Sequence, residues 1–149
     1  SLSEVLMPGE QPDCLIYGDV LEHLRDPWKV LNDHVQFLAD AGIVVACIPN
    51  IEHWRTFARL FFNKWQYSES GLLDRTHMRF FAIEDILKMF SDAGLSEKLV
   101  YTRTFDIEGQ ERMREVLVEA AKQLGIVELE NFERRIATMQ YIVVARKRK

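Results

Sequence analysis

The unbroken apolar run Ile43-Val44-Val45-Ala46-Cys47-Ile48 constrains the fold more than any other stretch of this chain. Such a run suits a strand buried in a sheet rather than one with a wet face. A shorter run, Cys14-Leu15-Ile16-Tyr17, lies upstream between Pro12-Asp13 and Gly18 and reads as a second buried strand. Between the two, Asp26-Pro27 supplies an N-cap residue followed by proline at the first helical position. Trp28, Leu31, Val35 and Leu38 then recur at helical spacing, and Gly42 supplies the stop. Strand, helix, strand within about 35 residues is a βαβ unit, which requires parallel strands and a right-handed crossover.

The rest of the chain extends this pattern. Ile83, Ile86, Leu87 and Phe90 form a helical stripe ended by Gly94, and Lys98 to Phe105 reads as a third strand. A helix from about Gln110 to Leu124 turns Val116, Leu117, Ala120, Ala121 and Leu124 toward a core. Tyr141 to Ala145 closes the chain as a fourth strand, and residues 126–138 fit either helix or loop. The sum is an α/β chain, expected as a single domain over residues 1–149. Residues 51–81 are irregular and rich in aromatics, with Trp54, Phe57 and Phe61 on one helical face. They either pack the insert onto the sheet or cap a site at the strand ends. His53 beside Trp54 reads as a surface or lid residue.

Composition removes several classes. The chain is 48% hydrophobic and 28% charged, as soluble globular proteins are. No apolar run approaches the roughly 18 residues of a membrane span, and the polar start Ser1 to Asp13 is no signal peptide. Cys14 and Cys47 read as reduced thiols, so a cytoplasmic protein is expected, and without a spanning run no membrane partner is expected. A net charge of −4, with only Arg146-Lys147-Arg148-Lys149 densely basic, argues against nucleic acid.

In open α/β sheets, ligands bind beyond the carboxyl ends of parallel strands. Two polar clusters sit there: Gly18-Asp19-Val20-Leu21-Glu22-His23 after the first strand, and Pro49-Asn50-Ile51-Glu52-His53 after the second. If residues 19–23 form a helical turn, Asp19, Glu22 and His23 share one face. Two carboxylates and an imidazole suit a hard cation or a general base. The plainer alternative has Asp19 capping the turn, Glu22 paired with Arg25 and His23 held inside. Arg75 and Arg79, which flank His77, either meet an anionic substrate or pair with Asp74, Glu69 or Glu84.

Four blocks then occur in order. They are Asp19-Val20-Leu21-Glu22-His23-Leu24 with Asp26-Pro27, Ile48-Pro49-Asn50, Gly71-Leu72-Leu73-Asp74-Arg75-Thr76-His77-Met78-Arg79-Phe80-Phe81, and Asp92-Ala93-Gly94-Leu95. Together they resemble the class I S-adenosylmethionine-dependent methyltransferases. The likeness is to the bacterial branch with D-V-L-E-H-L-x-D-P after strand four, P-N after strand five and L-D-x-T-H-x-R-F-F before the next helix. The resemblance implies a partial Rossmann-like methyltransferase sheet, strands four to seven, with helices on both faces and a closing antiparallel strand. It implies S-adenosylmethionine as cofactor, touching Gly18, Asp19, Val20 and Leu21. It also implies methyl transfer to a small-molecule or sugar-type acceptor, at oxygen, with His23 or His77 as base. Asn50, Arg75 and Arg79 would then face the acceptor.

In that family a glycine-rich loop after strand one holds most of the cofactor. In this chain the glycines stand at 9, 18, 42, 71, 94, 109 and 125, and no two are spaced as G-x-G. The chain is therefore expected to match the C-terminal half of the fold, inactive in isolation. It would work as a homo-oligomer or with the upstream half of the same protein; the alternative is a non-catalytic, self-associating half-domain. Ubiquinone-pathway and small-RNA 2′-O-methyltransferases bind a divalent metal through E-x-x-E-H and, in the RNA enzymes, a later histidine. The corresponding residues in this sequence are Asp19, Glu22, His23 and His77, a set suited to magnesium, manganese or zinc.

Overall fold

The computed structural model describes residues 4, 6, 7 and 9–148. Lys149 of the basic tail and residues 1–3, 5 and 8 of the polar N-terminal stretch lie outside the described residues. The elements run β1 (Cys14–Gly18), α1 (Pro27–Val35), β2 (Ile43–Pro49), α2 (Trp54–Phe61), α3 (Ile83–Asp92), β3 (Leu95–Arg103), α4 (Gln110–Gln123), α5 (Leu129–Ala137) and β4 (Gln140–Lys147). A 3₁₀ turn, Leu21–His23, follows β1.

One mixed sheet has the order β1-β2-β4-β3. β1 and β2 are parallel, with Tyr17 opposite Ala46, and α1 is the crossover that the first apolar runs require. β4 enters antiparallel between β2 and β3, so the last strand of the chain is interior and β1 and β3 are the edges. Asp26 caps α1 by accepting the Lys29 N–H at 2.9 Å, with Pro27 at the first helical position. α1 ends at Val35, short of Gly42, and a turn carries the chain on.

Burial alternates along β2 and β4. Val44, Ala46, Ile48, Tyr141, Val143 and Ala145 are buried on one face, beneath Leu31, Val35 and Leu38 of the α1 region and Ile86, Met89 and Phe90 of α3. On the opposite face Val45 and Val144 are only half-buried, and Ile16 of β1 is 74% exposed. β3 starts at Leu95 rather than Lys98, because pairing of Leu95 with Lys147 begins directly after the Gly94 turn. As an edge strand it tolerates the polar Ser96-Glu97-Lys98.

Residues 126–138 resolve into α5. It pairs with α4 around Leu117 and Ile136, against Trp54 of α2, in a second core separate from the sheet. Val116 and Leu124, expected to face a core, are exposed. α4 packs on helices rather than on the sheet, so its buried stripe narrows to Leu117 and Ala121. Among the described residues no helix is long and apolar enough to cross a membrane.

Candidate functional site

The parallel strands β1 and β2 end at Gly18 and Pro49, and a cavity of about 390 Å³ opens there. Asp19, Glu22, His23, Asp74, His77 and Gln140 line it with polar groups. It is smaller than the 710 Å³ groove between α2 and α4. Yet it gathers carboxylates and imidazoles, and this chemistry rather than size makes it the candidate site.

The turn after β1 is shaped by its backbone. Asp19 sits in the left-handed region at φ 52°, a conformation that costs a non-glycine residue about 1 kcal/mol and recurs at functional sites. Its N–H donates to Cys47 O at 3.2 Å, fixing the turn to β2. Its Oδ1 accepts from Gln140 Nε2 at 2.7 Å, fixing it to β4. Gly18, Asp19 and Val20 are exposed, whereas the Leu21 side chain is fully buried in the core and leaves only its backbone for a ligand.

Glu22 is the anomaly. It is 1% exposed, and neither carboxylate oxygen has a hydrogen-bond partner. Burial pushes its pKa up; its own backbone N–H, close to the carboxylate though not in hydrogen-bond geometry, and the charge of His23 partly offset this, and the charge of Asp19 adds to it. The expected pairing with Arg25 does not form. The Glu22 backbone carbonyl accepts from Met78 N at 2.8 Å and Arg79 N at 3.0 Å, which brings the distant 71–81 segment onto the turn.

That segment delivers His77. The rings of His23 and His77 meet edge to face with centroids 4.7 Å apart. His23 Nδ1 lies 3.2 Å from Thr76 O and His77 Nδ1 lies 3.3 Å from Leu72 O. A carbonyl only accepts, so each Nδ1 carries the proton and each Nε2 keeps its lone pair. Thr76 is oriented in turn by Asp74, which accepts from its N–H at 2.8 Å and its hydroxyl at 2.6 Å. Those bonds hold the Asp74 carboxyl below its usual pKa. Burial lowers the His77 pKa, against the raising effect of the Leu72 carbonyl.

One ligand atom from each of Glu22, His23 and His77 lies within 4.8 Å of the other two. A buried carboxylate without a partner and two free imidazole lone pairs fit a divalent cation. Asp19, the fourth expected ligand, lines the same cavity but stands outside this cluster.

The other expected residues are placed differently. Asn50 is fully buried and does not face the cavity: its amide donates to Arg135 O and Thr138 O at 2.8 Å each, and its Oδ1 accepts from Glu52 N at 3.0 Å. Arg79 stacks over Trp28 at 5.9 Å and donates to the backbone carbonyls of Met78 and Arg25, so it braces the fold. Arg75 is exposed and pairs with Glu69 at 2.8 Å. His53 is wholly buried, not on the surface. Gln140 and Thr76 join the site without a sequence signal of their own. No local pattern marks Gln140, while Thr76 lies inside the block that carries His77.

A family model described as "Methyltransferase domain" matches residues 2–97. No curated protein matches the chain. Among solved structures, the chain is similar to an S-adenosylmethionine-dependent methyltransferase from Archaeoglobus fulgidus, at 14% identity and a TM-score of 0.57, over 95% of this chain and 62% of that one. It is similar to magnesium protoporphyrin IX methyltransferase from Synechocystis with bound S-adenosylhomocysteine, at 15% identity and 0.54, over 94% and 47%. A third, an S-adenosylmethionine-dependent methyltransferase from Mesorhizobium loti, is 13% identical at 0.52, over 95% and 64%. The chain thus spans between about half and two thirds of these relatives' lengths.

Proposed function

The chain belongs to the methyltransferase-domain family, and on that premise we propose that it forms the acceptor-side part of an S-adenosylmethionine-dependent methyltransferase. The acceptor in this reading is a small or sugar-type molecule methylated at a hydroxyl oxygen. The observation that carries it is the meeting of Glu22, His23 and His77 in one cavity beyond β1 and β2. S-Adenosylmethionine, when bound, supplies an electrophilic methyl group on a sulfonium sulfur. Gly18, Asp19 and Val20 offer open backbone for part of that ligand, since a Cβ at Gly18 would meet nothing within 4 Å.

The residues of the chain then have two tasks. The Nε2 lone pair of His23 or His77 would take the proton of the acceptor hydroxyl, leaving its oxygen nucleophilic toward the methyl group that the bound cofactor would supply, with the S–CH3 bond breaking and the neutral thioether as leaving group. Thr76 and Leu72 hold those rings in the tautomer that can do so. Positioning carries most of the barrier reduction in such a transfer. In a second version Glu22, His23 and His77 would hold a divalent cation, which would supply Lewis-acid polarisation of the same hydroxyl. The partnerless Glu22 carboxylate favours it.

In the complete enzyme, His23→Ala and His77→Ala should each lower turnover about a hundredfold or more with unchanged circular dichroism. Unaltered turnover in both variants overturns the assignment of either histidine as base. Loss of activity in a chelator, restored by magnesium, manganese or zinc, selects the metal version.

A different reading, a non-catalytic domain completed by a second copy or a partner strand, is supported by the free β1 edge with Ile16 exposed. Titration calorimetry with S-adenosylmethionine separates the two. Heat of binding from this chain favours the enzyme, and silence together with a concentration-dependent dimer in sedimentation velocity favours the completed half-domain.

A further inference from the structure

The turn that ends α2 is unlike the rest of the surface. Residues 54–67 contain Arg55, Arg59 and Lys64 and no acidic residue, within a chain of net charge −4. None of these three cations forms an ion pair among the described residues. Beside them stand the most exposed rings among the described residues: Phe61 is 70% and Phe62 68% exposed, with Leu60, Trp65 and Tyr67 exposed as well. Exposed rings in such density are costly in water and mark an interaction surface.

The tip is held in a fixed shape. α2 ends at Phe61, and Asn63 reverses the chain in the left-handed region at φ 53°. Lys64 N donates to Arg59 O at 2.7 Å, and the Arg59 guanidinium donates to Gln66 O at 2.8 Å. Phe61 and Phe62 also form the mouth of the 710 Å³ groove between α2 and α4, whose other walls include Trp54, Ala58 and Met113. On the α4 side Arg112 is offset by Glu111, so the positive balance belongs to the α2 tip.

We propose that this tip docks on an anionic phospholipid bilayer, with Phe61, Phe62 and Leu60 entering the acyl boundary and Arg55, Arg59 and Lys64 meeting the headgroup phosphates. Bulky apolar residues next to unpaired cations are the composition of segments that lie in a bilayer interface, and Trp and Tyr settle at the headgroup level. Charge complementarity selects this occupant: an apolar protein partner would leave three cations without counter-charges, whereas an anionic leaflet supplies them. The expectation of no membrane partner rests only on the absence of a spanning segment, and surface docking needs none. The tip is also joined to the cavity, since Trp65 packs on Phe80 at 6.3 Å and Phe80 on His77 at 6.4 Å.

The test is sedimentation of the purified chain with vesicles of phosphatidylcholine alone or mixed with phosphatidylglycerol. Binding should need the anionic lipid, weaken as salt rises, and shift tryptophan emission to the blue, a shift lost in Trp65→Phe. The double variant Phe61→Ser/Phe62→Ser should bind about a hundredfold more weakly. Arg55→Glu/Lys64→Glu, a change of four charge units, should lose about 600-fold, at about fivefold per unit charge near the leaflet. These side chains are exposed, so circular dichroism and Tm should not move. Several results overturn the proposal: no binding to anionic vesicles, equal binding to neutral ones, or variants that bind as the native chain does. So does a dimer in sedimentation velocity that the Phe61→Ser/Phe62→Ser variant abolishes.

Discussion

Asn50 and His53, neighbours in the turn that follows β2, are both buried and differ in how completely they are satisfied. Asn50 joins the strand end to the α5–β4 turn through two hydrogen bonds and accepts a third from Glu52 N within its own turn. Asn50→Ala leaves the Thr138 carbonyl and the Glu52 N–H without partners, while Arg135 O keeps the Thr138 N–H at 3.2 Å; it should destabilise by about 2–4 kcal/mol, read as a lower denaturant midpoint at unchanged slope. His53 accepts from Arg55 N at 3.3 Å through Nδ1 and caps α2, while its Nε2 has no partner. Burial, aided by Arg55, lowers its pKa from 6.5 to about 4. The folded state therefore binds the proton less well than the unfolded one. Stability is fully present above pH 6.5 and falls as pH drops toward 4, by up to about 3 kcal/mol. His53→Asn keeps the cap and removes the titration, so thermal melts across that window should show a flatter acid limb; parallel limbs would clear His53 of the effect. From sequence His53 reads as a surface residue, because a position just past a strand looks like loop. Its burial depends on Asn50 tying that turn to a helix some 85 positions later, which no local pattern displays.

Local periodicity sufficed wherever an element packs on the sheet. The βαβ unit of β1, α1 and β2, the α3 stripe and β4 are each visible as apolar spacing, because one broad apolar partner selects every inward residue. It located α4 but not its buried face, and left α5 open between helix and loop, because the partners of both are other narrow helices. There Val116 and Leu124 have the right spacing but stay exposed, Val116 on the wall of the groove between α2 and α4. α2, α4 and α5 thus hold together mainly through Trp54, Leu117 and Ile136, apart from the main core. Two clusters imply two levels of local stability. Ile136→Ala should remove about 2–5 kcal/mol from the smaller one. Native-state hydrogen exchange should then show α4 and α5 opening well before β2 and β4. Uniform loss of protection across both would show a single cooperative unit. The candidate site has the same history: the turn after β1 is legible as a motif, but His77 meets it only through backbone bonds from Met78 and Arg79 to Glu22.

At the scale of the whole molecule, the consequence of the strand order β1-β2-β4-β3 is one edge that is not blunted. β1 is short, yet it carries Ile16 in register with Val45, and Val45 in turn with Val144, and Val144 with Leu99. The row crosses the open face of the sheet, with Ile16 and Leu99 exposed at its two ends. Charge and proline are the usual guards of such an edge, and β1 (Cys14-Leu15-Ile16-Tyr17-Gly18) contains neither. Its unpaired backbone groups and Ile16 should therefore find a strand from a second copy or from a partner. Burying Ile16 alone is worth about 1.5–3 kcal/mol, and each edge hydrogen bond adds about 1. Sedimentation velocity at micromolar concentration should show a concentration-dependent dimer. Ile16→Lys should return it to monomer while shifting unfolding stability by no more than about 0.5 kcal/mol, because the native side chain already faces water. The same variant should leave vesicle binding at the α2 tip intact, since the edge and the tip share no residue. A chain that stays monomeric throughout the concentration range would mean the edge is closed in another way, and the dimer would be withdrawn.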